Sequence, residues 1–157
     1  MAERVYLETS IISYLAAYPS RDLITAARQQ LTHEWWVRRR PEFEVYISEL
    51  VVAEAAAGDS DAARRRAQWI ESLPSLSISD EAIALARVLV EAARLPDRAA
   101  VDALHISVAA CHGMGYLLTW NSTHIANAEF RPKVERTCRD SGYEPPVLCT
   151  PDELMGI

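Results

Sequence analysis

Short β-rich runs alternate with helical stretches along nearly the whole chain, and this alternation narrows the folds open to it. The β-like runs are VYLE near the start, FEVYIS, LSIS, YLLTW and PPVLCTP near the end. Between them lie TSIISYLAA, SRDLITAARQQLTHEWWVRRR, ELVVAEAAAG, DSDAARRRAQWIESL, DEAIALARVLVEAARL, DRAAVDALHISVAACHG and STHIANAEFRPKVERTCRDSG. Pro41, Pro74 and Pro96 end three of these helices, Gly58 and Gly113 close two more, and Pro132 is expected to break the last one. Strands separated by helical crossovers pair in parallel. The expected fold is therefore α/β: a three-layer α/β/α sandwich with a central, mostly parallel sheet, formed by residues 1–157 as a single domain.

Three carboxylates lie inside the apolar runs of this pattern. Glu8 follows VYL, Glu54 interrupts LVVAEAAAG, and Asp102 interrupts RAAVDALHISVAA. An unpaired buried carboxylate costs roughly several kcal/mol. The AAVDALHISVAA helix is apolar nearly all round, so it packs on several sides, with Asp102 and His105 on one face. A helix dipole returns only on the order of 0.3–1 kcal/mol to an acid in the first turn. Local explanations exist for each acid: Arg98 or backbone donors for Asp102, a solvent-facing position for Glu54, a helix-start anion for Glu8. Glu49 is explained by its place at a helix start. One explanation covers all three acids at once: they meet around a divalent cation. In an open parallel sheet ligands bind beyond the carboxyl ends of the strands. Glu8 and the Trp120-Asn121 pair sit at two such ends.

The bulk properties set limits. A net charge of −6 argues against a surface that is one nucleic-acid footprint, though not against a local patch. The basic residues are nearly all Arg, with triplets at 38–40 and 64–66 that read as solvated helix surface. No apolar run is long enough for a membrane span, and no signal-peptide core follows MAERVYLETS, so a cytoplasmic protein without membrane contact is expected. Cys111, Cys138 and Cys149 form no CxxC pair, which disfavours a disulfide framework or a zinc knuckle.

Four segments, VYLETSIISYL, ISELVVAEAAAG, AVDALHISVAA and YLLTWNSTHIAN, resemble in this order the signature blocks of PIN-domain ribonucleases. The resemblance covers essentially the whole chain and leans toward the toxin-type, VapC-like bacterial members and their stand-alone relatives. It implies an α/β/α sandwich, a Mg²⁺ or Mn²⁺ centre and endonucleolytic cleavage of RNA to a 5′-phosphate and a 3′-hydroxyl. The acidic positions of the family fall on Glu8, Glu54 and Asp102, the implied metal ligands, and the fourth on Asn121, the remaining implied catalytic residue. Ser10 and Thr119 are the implied supporting residues, and His124, three positions after Asn121, is a candidate contact to substrate phosphate. RNA is the implied partner, with a small antitoxin if the chain is a toxin.

Two departures stand out. The first acid is Glu8 where Asp is usual, which moves the carboxylate by about 1.5 Å unless the backbone compensates. The fourth position is Asn121 where Asp is frequent, so the site carries three charges and a second cation would be held weakly. Of the adjacent Trp35 and Trp36, one is expected in the core and the other at an interface, with a homodimer as the natural partner. Trp120 is a candidate platform for a base. The competing readings are a non-catalytic RNA- or protein-binding module of the same fold and a phosphatase on an α/β sheet.

Overall fold

The structure is a computed structural model that describes residues 2–156. Its centre is a sheet of five strands among the described residues: β1 (Glu3–Leu7), β2 (Phe43–Ser48), β3 (Ser75–Leu76), β4 (Tyr116–Leu118) and β5 (Val147–Cys149). Their order is β3-β2-β1-β4-β5, and every pairing is parallel, where the sequence predicted a mostly parallel sheet. Val5 aligns with Val45 on one side and with Tyr116 on the other, which fixes β1 at the centre.

The side chains of β1 explain the layering. Val5, Tyr6 and Leu7 are all fully buried. Successive strand residues face opposite sides, so both faces of the sheet are covered. The covering helices are α1 (Thr9–Ala16), α2 (Leu23–Arg38), α3 (Glu49–Ala55), α4 (Ser60–Ile70), α5 (Asp80–Ala92), α6 (Ala100–Cys111) and α7 (Arg131–Asp140). Helix α1 packs against α2, α3 and α4, whereas α5 packs against α6 and α7. The result is a three-layer α/β sandwich.

Local chemistry sets where the helices begin. Asp22, Ser48, Asp59 and Ser79 each turn a side-chain oxygen onto a backbone N–H of the first turn of α2, α3, α4 and α5. After α3 the chain turns at Gly58 (φ +83°), and after α6 at Gly113 (φ +71°), as the glycine positions predicted. Pro41 lies in a 3₁₀ turn directly after α2. The last helix differs from the sequence reading. Pro132 does not break it but sits in its first turn, where a missing N–H has no cost. Residues 122–130 form turns instead, because Asn121 and Asn127 turn side-chain oxygens onto the N–H groups of Thr123, His124, Glu129 and Phe130.

Leu117 at the middle of β4 is fully buried in the cluster shared by the sheet and its helices. Leu117→Ala is expected to lower unfolding free energy by about 2–5 kcal/mol in urea titration, the range for a core leucine that leaves a cavity. No helix among the described residues is long and apolar enough to cross a membrane.

Candidate metal centre

The strand order places the site. From β1 the sheet grows outward through β2 and β3, then the chain returns to β1's other edge with β4 and β5. Such a reversal opens a crevice beyond the carboxyl ends of the two strands that flank it, here β1 and β4. Glu8 is the first residue after β1, and its N–H still donates to Leu118 of β4 at 3.0 Å. Thr119, Trp120 and Asn121 follow β4 directly, with the Thr119 N–H on the Cys149 carbonyl.

Glu8 is 7% exposed and folds back over the start of α1. Its Oε1 accepts from the Ser10 N–H at 3.1 Å, from the Ser10 hydroxyl, and from the Thr119 hydroxyl at 2.7 Å. Three donors on one oxygen compensate the burial of the charge. The backward fold also accommodates the extra methylene, since the longer side chain reaches its own helix cap. Ser10 is fixed in turn by the Trp120 N–H, which donates to its Oγ at 2.8 Å. Among the described residues, Glu8 Oε2 has no hydrogen-bond partner.

Glu54 comes from the last turn of α3, with its side chain 35% exposed. Its Oε1 accepts from the Thr9 hydroxyl at 2.6 Å and lies 2.6 Å from His105 Nε2. Burial pushes the carboxyl up, but the bonds from His105 and Thr9 outweigh it and hold Glu54 below the ordinary glutamate range. His105 is 1% exposed, and its Nδ1 is 2.6 Å from the Tyr6 hydroxyl, which reaches Ser48 Oγ at 2.8 Å. Burial pushes the Tyr6 phenol far above its ordinary value, the Ser48 bond opposing only in part, so Tyr6 keeps its proton.

Asp102 belongs to a second cluster one helical turn from His105. Its Oδ1 accepts from Asn121 Nδ2 at 3.0 Å, and its Oδ2 pairs with His124 Nδ1 at 2.9 Å. Arg98, the partner considered from sequence, takes no part in these bonds. The Asn121 carbonyl oxygen accepts from the Thr123 and His124 N–H groups, each at 3.1 Å. An amide here is physically sensible: its N–H₂ turns toward Asp102, where a carboxylate would face another at about 3 Å and repel it. His124 was a candidate for substrate phosphate; the structure buries most of its ring beside Phe130 and pairs it with Asp102. Thr119 joins the clusters, donating to Glu8 and accepting from the Asn121 N–H at 2.9 Å.

Among the described residues, the metal-ligating atoms that converge are those of Glu8, Glu54 and His105, all within 4.8 Å of one another. Asp102 lies outside this group of atoms. Two carboxylates with one oxygen each free of the protein are a hard, anionic donor set that fits a divalent cation. The sequence pattern placed His105 on one face with Asp102 but gave it no part in the site, and it passed over Tyr6 and Thr9 as site residues. The signal for His105 was its place one turn after Asp102 on the same apolar helix; for Tyr6 and Thr9 the sequence held none.

The other singled-out residues serve packing. Trp35 is buried against Phe43, and Trp36 lies edge-on to Trp69 under the Arg40 guanidinium, so its face is covered within the chain. Trp120 donates its indole N–H to Thr32 and is flanked by Tyr14 and Arg28, which leaves it held by packing. The 64–66 arginines bond to Asp61 and to the carbonyls of Ala16, Ala55 and Ala57. Arg65 and Arg66 tie α4 to the ends of α1 and α3, whereas Arg64 stays on the solvated surface of α4, paired with Asp61. Glu49 lies in the first turn of α3 and receives the Ile78 N–H. The three cysteines are free thiols.

No curated protein matches the sequence. The family model described as the PIN domain matches residues 5–129, a span that contains every residue of the two clusters. The chain therefore belongs to the PIN-domain family.

Proposed function

We propose that the protein is a divalent-metal-dependent endoribonuclease, with Mg²⁺ or Mn²⁺ as its ion. The observation that carries this reading is the convergence of Glu8, Glu54 and His105 at the topological switch point of a PIN-domain sheet. PIN domains are in general metal-dependent nucleases. Glu8 and Glu54 would hold the ion, each through the oxygen that the protein leaves free. When bound, such an ion lowers the pKa of a water and neutralises charge on phosphate oxygens. Ser10 and Thr119 keep the Glu8 carboxylate in place. Asp102, with each oxygen on a separate donor, is a fixed charge at the crevice wall, and Asn121 and His124 orient it. Water adds to phosphorus, the bond to the 3′-oxygen breaks, and that oxygen leaves with a proton, giving a 5′-phosphate and a 3′-hydroxyl.

A toxin held by a small antitoxin, acting as a homodimer in the cytoplasm, is the biological setting this reading favours. One observation supports the competing non-catalytic module: both Asp102 oxygens are satisfied by protein donors. Incubation of the purified chain with single-stranded RNA, the matching DNA and a small phosphomonoester, each with Mg²⁺ or Mn²⁺, separates the readings. Internal cleavage of RNA is expected. Hydrolysis of the phosphomonoester alone would point to a phosphatase, and no hydrolysis of any substrate to the binding module.

A further inference from the structure

His105 stands within reach of both carboxylates, yet its two ring nitrogens are already spoken for. We propose that His105 is a positioning residue and not a metal ligand: Ser48 and Tyr6 hold it as the Nε2–H tautomer, and it holds Glu54 so that one carboxylate oxygen is left for the cation. This inference rests on the metal-centre reading above.

The direction of the hydrogen bonds follows from counting donors. The Val51 N–H donates to Ser48 Oγ at 3.3 Å as part of the α3 cap. The only other partner of Ser48 Oγ among the described residues is the Tyr6 hydroxyl at 2.8 Å. Ser48 is fully buried, so its hydroxyl hydrogen has no water to turn to and must go to Tyr6. Tyr6 then has one acceptor for its own hydrogen, His105 Nδ1 at 2.6 Å. With Nδ1 accepting, Nε2 carries the hydrogen and donates to Glu54 Oε1 at 2.6 Å. Every hydrogen in the relay then has an acceptor. Reversal would strand the Ser48 hydrogen in a buried site, the arrangement that native interiors avoid.

The same count excludes direct ligation. A neutral ring bound to a metal through Nε2 carries its hydrogen on Nδ1. Tyr6 would then have to accept there and donate to Ser48, which strands the Ser48 hydrogen and removes the bond from Nε2 to Glu54 Oε1. Rotation of the ring to avoid this would break the Tyr6 bond in a site where the two rings pack with centroids 5.8 Å apart. The arrangement has a use. Glu54 sits at the end of a seven-residue helix with a partly exposed side chain that otherwise samples several rotamers. His105 and Thr9 both fasten the same oxygen and leave the other without a partner among the described residues. The relay draws on β1, the end of β2, α3 and α6, so the carboxylate is referenced to the rigid sheet. Outer groups that fix a ligand in this way contribute to affinity without touching the ion.

Three readouts test the assignment. In the metal-free wild-type chain, long-range proton–nitrogen NMR is expected to show His105 protonated at Nε2 and not at Nδ1. In the Mn²⁺ complex, pulsed electron paramagnetic resonance is expected to show no directly bound imidazole nitrogen. Mn²⁺ titration is expected to show affinity about 10–100-fold weaker in His105→Ala, with most of it recovered in His105→Gln, whose amide N–H reaches toward Glu54 as Nε2–H does. Circular dichroism checks that the variants fold, and the two wild-type readouts decide if His105→Ala does not. Protonation at Nδ1, a bound imidazole signal that disappears in His105→Gln, or unchanged Mn²⁺ affinity in folded His105→Ala would overturn the inference. Failure of the wild type to bind Mn²⁺ would overturn the metal-centre reading itself, a result distinct from a wrong tautomer.

Discussion

Asp102→Asn lowers divalent-dependent RNA cleavage by at least about 100-fold, beyond the lower part of the range for groups that merely support a metal site, while the chain still folds. The substitution is nearly isosteric but removes the charge and turns one acceptor into a donor. In the wild type the two Asp102 oxygens receive the Asn121 amide and the His124 ring. An asparagine presents its N–H₂ to one of them, so a charge-assisted bond is lost on that side and the His124 ring or the Asn121 amide must re-orient to meet it. The stability cost is about 1–3 kcal/mol for a broken, partly buried bond to charge, within the margin of a domain stable by about 5–15 kcal/mol. Initial rates with RNA and Mn²⁺, beside urea unfolding of both proteins, measure the two effects. Wild-type cleavage in Asp102→Asn would remove Asp102 from the site.

Glu54→Gln is expected to be comparably severe for cleavage, and it carries a second signature. The glutamine carbonyl can still accept from Thr9 and His105, so the local structure is retained, but the free oxygen becomes an N–H₂ that repels a cation. The second signature is the pH dependence of stability without metal. Burial raises the Glu54 pKa, but the His105 and Thr9 bonds lower it further, so the net shift in the folded chain is downward. A carboxyl with a depressed folded pKa adds stability that is complete above its unfolded pKa and is lost as pH falls through the folded one. In chelator, wild-type stability is expected to decline below the ordinary glutamate range, and Glu54→Gln to lack that part of the decline. Urea midpoints taken across acid pH read the difference. Parallel curves for the two proteins would show that Glu54 is not held as described.

The architecture was legible because its signals are local. VYLE, FEVYIS and YLLTW are short apolar runs bounded by caps and breakers, and they became β1, β2 and β4. Pro132 misled because the same missing N–H that breaks a helix interior suits a first turn, and only the side-chain bonds of Asn121 and Asn127 decide between them. The site was legible in part. Glu8 and Glu54 stood out as isolated charges in apolar runs, and the structure brings them together. His105 did not, because its meaning lies in partners 99 and 51 positions away, Tyr6 and Glu54, that no local pattern reveals. Asn121 showed only as an uncharged position; its bond to Asp102 needed the turn after β4 to be seen.

On the function proposed above, Glu8 and Glu54 form a divalent-cation site. Equilibrium titration of Mn²⁺, followed by the loss of its free-ion paramagnetic resonance signal, tests it without depending on a chosen RNA. The wild-type chain is expected to bind Mn²⁺ at millimolar concentration or below, and the Glu8→Gln/Glu54→Gln double variant, folded by circular dichroism, to bind none in that range. A wild type that leaves the ion free, or a double variant that binds as the wild type does, would contradict it.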